Sequence, residues 1–165
     1  MYREIVTKAV IGKGKISNTS TVTVSPSNGV SKILGCWVIN HYYVNNYDDG
    51  KVFAKGRYDV HLWYGYNNDS DTLVHKQTID YIEEFNVKMK NNEVISETNE
   101  FLIRSVKYPS CNGLTLNDDG SVAIKIEKEL TLDVIGDAKL RVQVSDSVDI
   151  SDDIDNINVN YLNKE

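Results

Sequence analysis

Long hydrophobic runs are missing from this chain of 165 residues. Runs such as Leu62–Tyr64 stop after a few residues, whereas a spanning helix needs about 20, so no transmembrane segment is expected. Proline is scarce, at 2, and 10 glycines are too few for a collagen-like or Pro-rich chain. There are 2 cysteines, Cys36 and Cys111. That number excludes a disulfide scaffold and leaves a zinc site short of ligands, so two reduced thiols are expected. The opening stretch MYREIVTKAV lacks a charged-then-apolar leader. The expectation is a soluble protein that stays in the cell that makes it. A basic surplus is missing too. The net charge is −6, and residues 146–165 hold six acids against Lys164, so the first 145 residues are nearly neutral. Nucleic-acid binding needs a basic footprint, and DNA and RNA are set aside on that ground.

What is present is alternation. Val122, Ile124, Ile126, Leu130, Leu132 and Val134 fall on one face of residues 121–134, and Lys125, Glu127, Glu129 and Asp133 on the other. A period of two over that length predicts a half-buried strand. Residues 139–144 repeat it, and Gly136-Asp137 between them reads as a hairpin. Further runs span 4–12, 19–24, 32–43, 51–66, 72–82, 84–90, 93–107 and 112–116, parted by turn chemistry such as NNYDDG, NNDSD and NDDG. The fold class expected is all-β, an antiparallel sandwich or barrel-like domain of about 8–10 strands over residues 1–145. Residues 146–165, rich in Asp, Asn and Ser, read as a flexible acidic tail.

Reactive constellations do not assemble from the sequence. His41, His61 and His75 lack metal-site spacing with an acid. Gly12-Lys13-Gly14-Lys15 has the wrong length for a phosphate loop and reads as a turn. The pairs Glu83-Glu84 and Asp118-Asp119 point to opposite sides of a strand or turn and read as solvated surface. In the tail, Asp149, Ser151, Asp153 and Asp155 imitate the start of a calcium loop. However, Ile154 and Asn160 stand where glycine and a bidentate glutamate are needed. No catalytic residue, cofactor or metal site is expected, and the chain is read as a non-enzyme.

Aromatic placement carries more information. Trp63 and Phe53 occupy the odd, charged face of residues 51–66, whose even positions form the core face. Trp37 lies in Ile33–Ile39, apolar on both faces, which predicts either a central strand or one covered by another subunit. Ten tyrosines add amphipathic contact area. The residues alone thus lead to a binding or structural β-protein. One form of it is a carbohydrate- or ligand-binding sandwich with Trp37, Trp63 and Tyr66 as stacking platforms.

Three stretches carry a resemblance to a known family: Tyr2–Val10 (YREIVTKAV), Ile33–His41 (ILGCWVINH) and Gly56–Tyr64 (GRYDVHLWY). With Tyr108–Cys111 and Asp133–Asp137 in matching order, they resemble the outer spore coat protein E family of endospore-forming bacteria over roughly residues 2–145. The abundance of Asn, Ile, Lys and Tyr suits an AT-rich clostridial genome. The resemblance implies a morphogenetic scaffold that is made in the mother-cell cytoplasm and ends in the spore coat. Its implied partners are further copies of itself, inner coat scaffold proteins and outer coat clients. Self-association then falls on segments around Ile5–Val10 and Ile33–His41, with Ile5, Val10, Leu34, Trp37 and Ile39 as candidates beside Trp63 from the aromatic placement, and forespore targeting falls on Tyr58–Tyr64. Client recruitment falls on Asp146, Asp149, Asp152, Asp153 and Asp155, although the tail is shorter than the family pattern.

Overall fold

A computed structural model describes residues 1–144 and the backbone of residues 160–162. Eight strands follow in order: β1 (Tyr2–Val24), β2 (Lys32–Asp48), β3 (Lys51–Tyr66), β4 (Asp71–Glu84), β5 (Asn86–Met89), β6 (Glu100–Leu116), β7 (Val122–Gln143) and β8 (Asn160–Leu162). They form two antiparallel sheets. One has the order β5-β1-β7-β6, with β8 against the end of β7, and the other the order β2-β3-β4. The all-β expectation holds, as an open sandwich.

Alternation builds its interior. Val52, Ala54, Tyr58, Val60, Leu62 and Tyr64 of β3 point inward, as do Val122, Ile124, Ile126, Leu130, Leu132 and Val134 of β7. These are the faces that the period of two assigns. At about 1.5–3 kcal/mol per fully buried aliphatic side chain, this double row is the main source of stability. It divides into two clusters, one around Val60 and Ile124 and the other around Val52 and Leu132. Lys128 sits between them on the same inward row.

Several expected breaks are not breaks. Gly136-Asp137 does not turn, because β7 runs unbroken through it and Gly136 pairs with Ala9 of β1. A Cβ at Gly136 would lie 2.5 Å from Ile11 Cδ1 and 2.8 Å from Asn99 Nδ2. Close approach, not a reversal, selects glycine there. Gly12 and Gly14 likewise lie within β1, where Met89, Val87 and Phe85 fill the space a side chain would take. The expected runs 4–12 and 19–24 are therefore one strand of 23 residues, with a bulge between Val10 and Gly12. Pro109 also lies within a strand. It is on the edge strand β6, between register shifts, where its missing N–H costs no ladder bond.

Candidate functional site

The outer face of the three-stranded sheet is built by odd residues of the central strand β3 and their partners. Cross-strand pairing places Trp37 opposite His61, Ile39 opposite Asp59, Gly35 opposite Trp63, and Val74 on the other side of Trp63. Paired residues of an antiparallel sheet point the same way, so these side chains share one surface. The Trp37 and His61 rings stack with centroids 5.6 Å apart. Trp63 leans over Gly35, which has no side chain to hold it off. Trp37 and Trp63 remain 40% and 42% exposed, and Ile39 and Val74 are exposed beside them. Tyr42, Val44 and Ile82 continue the apolar surface along the sheet.

A fixed carboxylate sits within this surface. Asp59 accepts from Asn40 Nδ2 at 2.9 Å and from Thr78 Oγ1 at 2.7 Å, with Lys76 Nζ at 3.6 Å. The Asn40 bond first, then that from Thr78, holds the carboxyl below the usual aspartate range. Asn40 reaches it because β2 bulges between Ile39 and Tyr42, with Asn40 in the left-handed region at φ 58°. The opposite outer face, on the β1-β7-β6 sheet, has a different character. There Lys15 pairs with Glu129 at 2.8 Å, Arg104 with Asp133 at 3.4 Å and Lys107 with Glu127 at 2.8 Å. Both tryptophans thus lie on one side of the sandwich, while Tyr2, Val6, Leu102, Val106 and Tyr108 are exposed on the other sheet.

The same bulge turns His41 inward, into a polar cluster between the sheets that sequence reasoning missed. Lys128, 1% exposed, donates to Glu83 Oε1 at 2.8 Å and to Asn18 Oδ1 at 3.1 Å, and its ammonium lies 4.4 Å from the centre of the Tyr81 ring. Glu83 is therefore no solvated residue, in contrast to exposed Glu84: it neutralises a buried cation, which stands unopposed without it. Tyr81 lies over Gly56, which leaves it room, and its hydroxyl shares a hydrogen bond of 2.7 Å with His41 Nε2. Burial, and then the Lys128 charge, push His41 down to about 4. Burial also raises Tyr81 and Tyr58 above their ordinary values. The signal available in the sequence was Lys128 on an otherwise apolar row.

Of the six expected self-association residues, Trp37, Ile39 and Trp63 meet on one face. Leu34 lies in a second bulge of β2, half-buried, between Ile33 and Gly35. Ile5 and Val10 belong to the other sheet, where they pair with Leu140 and Ile135. β2 is an edge strand and not a central one, and Trp37 and Ile39 on its outer side are exposed. Tyr66 points inward against the core and Tyr64, which separates it from Trp37 and Trp63 and dismantles the three-residue stacking platform. The tail carboxylates from Asp146 to Asp155 lie outside the described residues. Among the described residues, no group of three or more His, Cys, Asp or Glu is placed to hold a metal ion. No helix there is long and apolar enough to cross a membrane.

A two-sheet β-protein with a tryptophan-bearing outer face on one sheet and cross-strand ion pairs on the other is the class that these features define. The family model of outer spore coat protein E (CotE) matches residues 1–165, and the chain belongs to that family. The family is a structural one of the spore coat, and membership implies a morphogenetic role and a place in that coat. Comparison with curated proteins and with solved structures finds no match.

Proposed function

We propose that the chain is a coat scaffold that associates with further copies of itself through the outer face of the β2-β3-β4 sheet. In this reading it assembles around the forespore from the mother-cell side and directs deposition of the outer coat, as a structural protein and not as an enzyme. One observation carries the reading: two exposed tryptophans, with Ile39 and Val74, form a continuous surface, and they are the only two tryptophans of the chain. Large apolar patches of this kind are uncommon on monomers, and tryptophan is the residue most enriched where interfaces draw their energy.

Light scattering of purified protein tests it. Trp37→Ala and Trp63→Ala together should weaken association at least about 30-fold, the equivalent of about 2 kcal/mol. Thermal melting should change little, because both rings are already substantially in solvent. Lys15→Ala with Glu129→Ala, on the opposite face, should leave assemblies intact. Unchanged assemblies in the double tryptophan variant would place the contact elsewhere. A monomeric parent protein would remove the scaffold reading altogether.

A further inference from the structure

The strands β2 and β6 belong to different sheets, yet they run side by side along one margin of the sandwich without a backbone ladder between them. Side chains join them. Asn45 Nδ2 donates to the Phe101 carbonyl at 3.1 Å. Tyr47 stacks on Phe101 with centroids 5.8 Å apart, and the His41 ring meets Tyr108 edge-on at 6.4 Å. As β2 is followed back from Tyr47 to His41, its partner advances from Phe101 to Tyr108, which is an antiparallel register. Carried on toward the start of β2, the register brings Cys36 level with Cys111.

Both cysteines point into this seam. Cys36 pairs with Leu62 and Cys111 with Ile126, and those two partners share one core cluster against which both cysteines pack. Both thiols are free and half-buried, and Cys111 Sγ reaches the Gly113 carbonyl at 3.8 Å. We infer that Cys36 and Cys111 form an oxidisable dithiol, which a small hydroperoxide closes into a disulfide that ties the two sheets together across their open margin.

The chemistry balances with the peroxide as oxidant. One cysteine, as thiolate, attacks a peroxide oxygen. The O–O bond breaks, a sulfenic acid forms, and the departing oxygen, once protonated, leaves as water from hydrogen peroxide or as an alcohol from an alkyl hydroperoxide. The other sulfur gives up its proton and attacks the sulfenic sulfur. The S–S bond forms and water leaves. The two cysteines lose two electrons, and the peroxide gains them. Burial, followed by the neighbouring Cys111, pushes Cys36 up to about 12, so Cys36 is held mainly as a thiol at neutral pH and the pair is slow to react. It therefore stays open in a reducing cytosol and closes under sustained oxidant.

The full chain treated with hydrogen peroxide provides the test. A monomer lighter by the mass of two hydrogens is expected, with the Cys36 peptide linked to the Cys111 peptide in a non-reducing digest. Because the bond closes a long loop of the unfolded chain, the melting temperature should rise by about 10 °C. A dithiol reductant should reverse all three changes, and Cys36→Ser or Cys111→Ser should show none of them. Three results would overturn the inference: both thiols still open to alkylation, separate oxidation of each cysteine to sulfinic acid, or links only between chains. These readouts come from the unmutated protein, so a variant that fails to fold does not blunt them.

Discussion

His41 shows how one side chain couples a backbone irregularity to the energetics of the interior. The bulge after Ile39 turns the imidazole toward Tyr81, among Lys128, Glu83, Tyr58 and Tyr43 and across from Tyr108 on β6. Its Nδ1 has no partner among the described residues, so a second proton gains nothing there and meets the Lys128 ammonium. The ring is held at about 4 in the folded state against an ordinary 6.5. In that window the unfolded chain takes up a proton that the folded one refuses. Stability is therefore complete above pH 6.5 and is lost as pH falls toward 4. For a half-buried ring the loss should be about 2 kcal/mol. Urea unfolding of the parent protein and of His41→Phe at pH 7 and pH 4.5 measures it. The parent should lose about that much more than the variant, and equal losses would show that the imidazole does not titrate in this way. Asp59 and Asp119 are held low and act below this range, so their contribution is separable.

At the scale of elements, period two found most strands, but ends were misread where glycine has two meanings, and the expected runs 93–107 and 112–116 are one strand, β6, preceded by non-strand residues 93–99. Residues 51–66 and 122–134 were legible because long alternation admits a single burial assignment. Gly12, Gly14 and Gly136 were not, because the letter that permits a turn also permits close packing, and only the neighbouring strand decides which. The site was legible to the same degree. Trp63 followed from alternation alone, whereas the Lys128 cluster depends on residues from four strands that no local window contains. Gly136 allows a direct check. Valine has the higher β-propensity, so Gly136→Val should stabilise an ordinary strand position. Here its side chain meets Ile11 and Asn99, and a loss of about 2 kcal/mol in chemical unfolding is expected. A neutral or stabilising outcome would mean that this crossing can relax.

At the scale of the whole molecule, the two outer faces differ in what salt does to them. An apolar contact through Trp37 and Trp63 is insensitive to screening or is strengthened by it. A face-to-face pair of copies also closes on itself, so a growing layer needs a second contact. Strand edges can supply one: among the described residues, β1 pairs with β5 only over Gly12–Lys15 and β4 has no neighbour beyond it.

Residues 146–165, with six acids against one lysine, would serve a different purpose as an electrostatic strip for basic partners. Attraction of that kind fades as the Debye length shrinks from about 10 Å at 0.1 M salt to about 3 Å at 1 M. Binding of a basic polypeptide should therefore be strong at low salt and lost at high salt, while assemblies of the body persist at both. Deleting residues 146–165 should abolish the salt-sensitive binding and spare assembly. The deletion also strips β8 from Arg141–Gln143 of β7 and leaves that short edge unpaired, which should add contacts between copies if it changes anything. A truncated protein that no longer assembles would show that the acidic segment belongs to the scaffold contact itself.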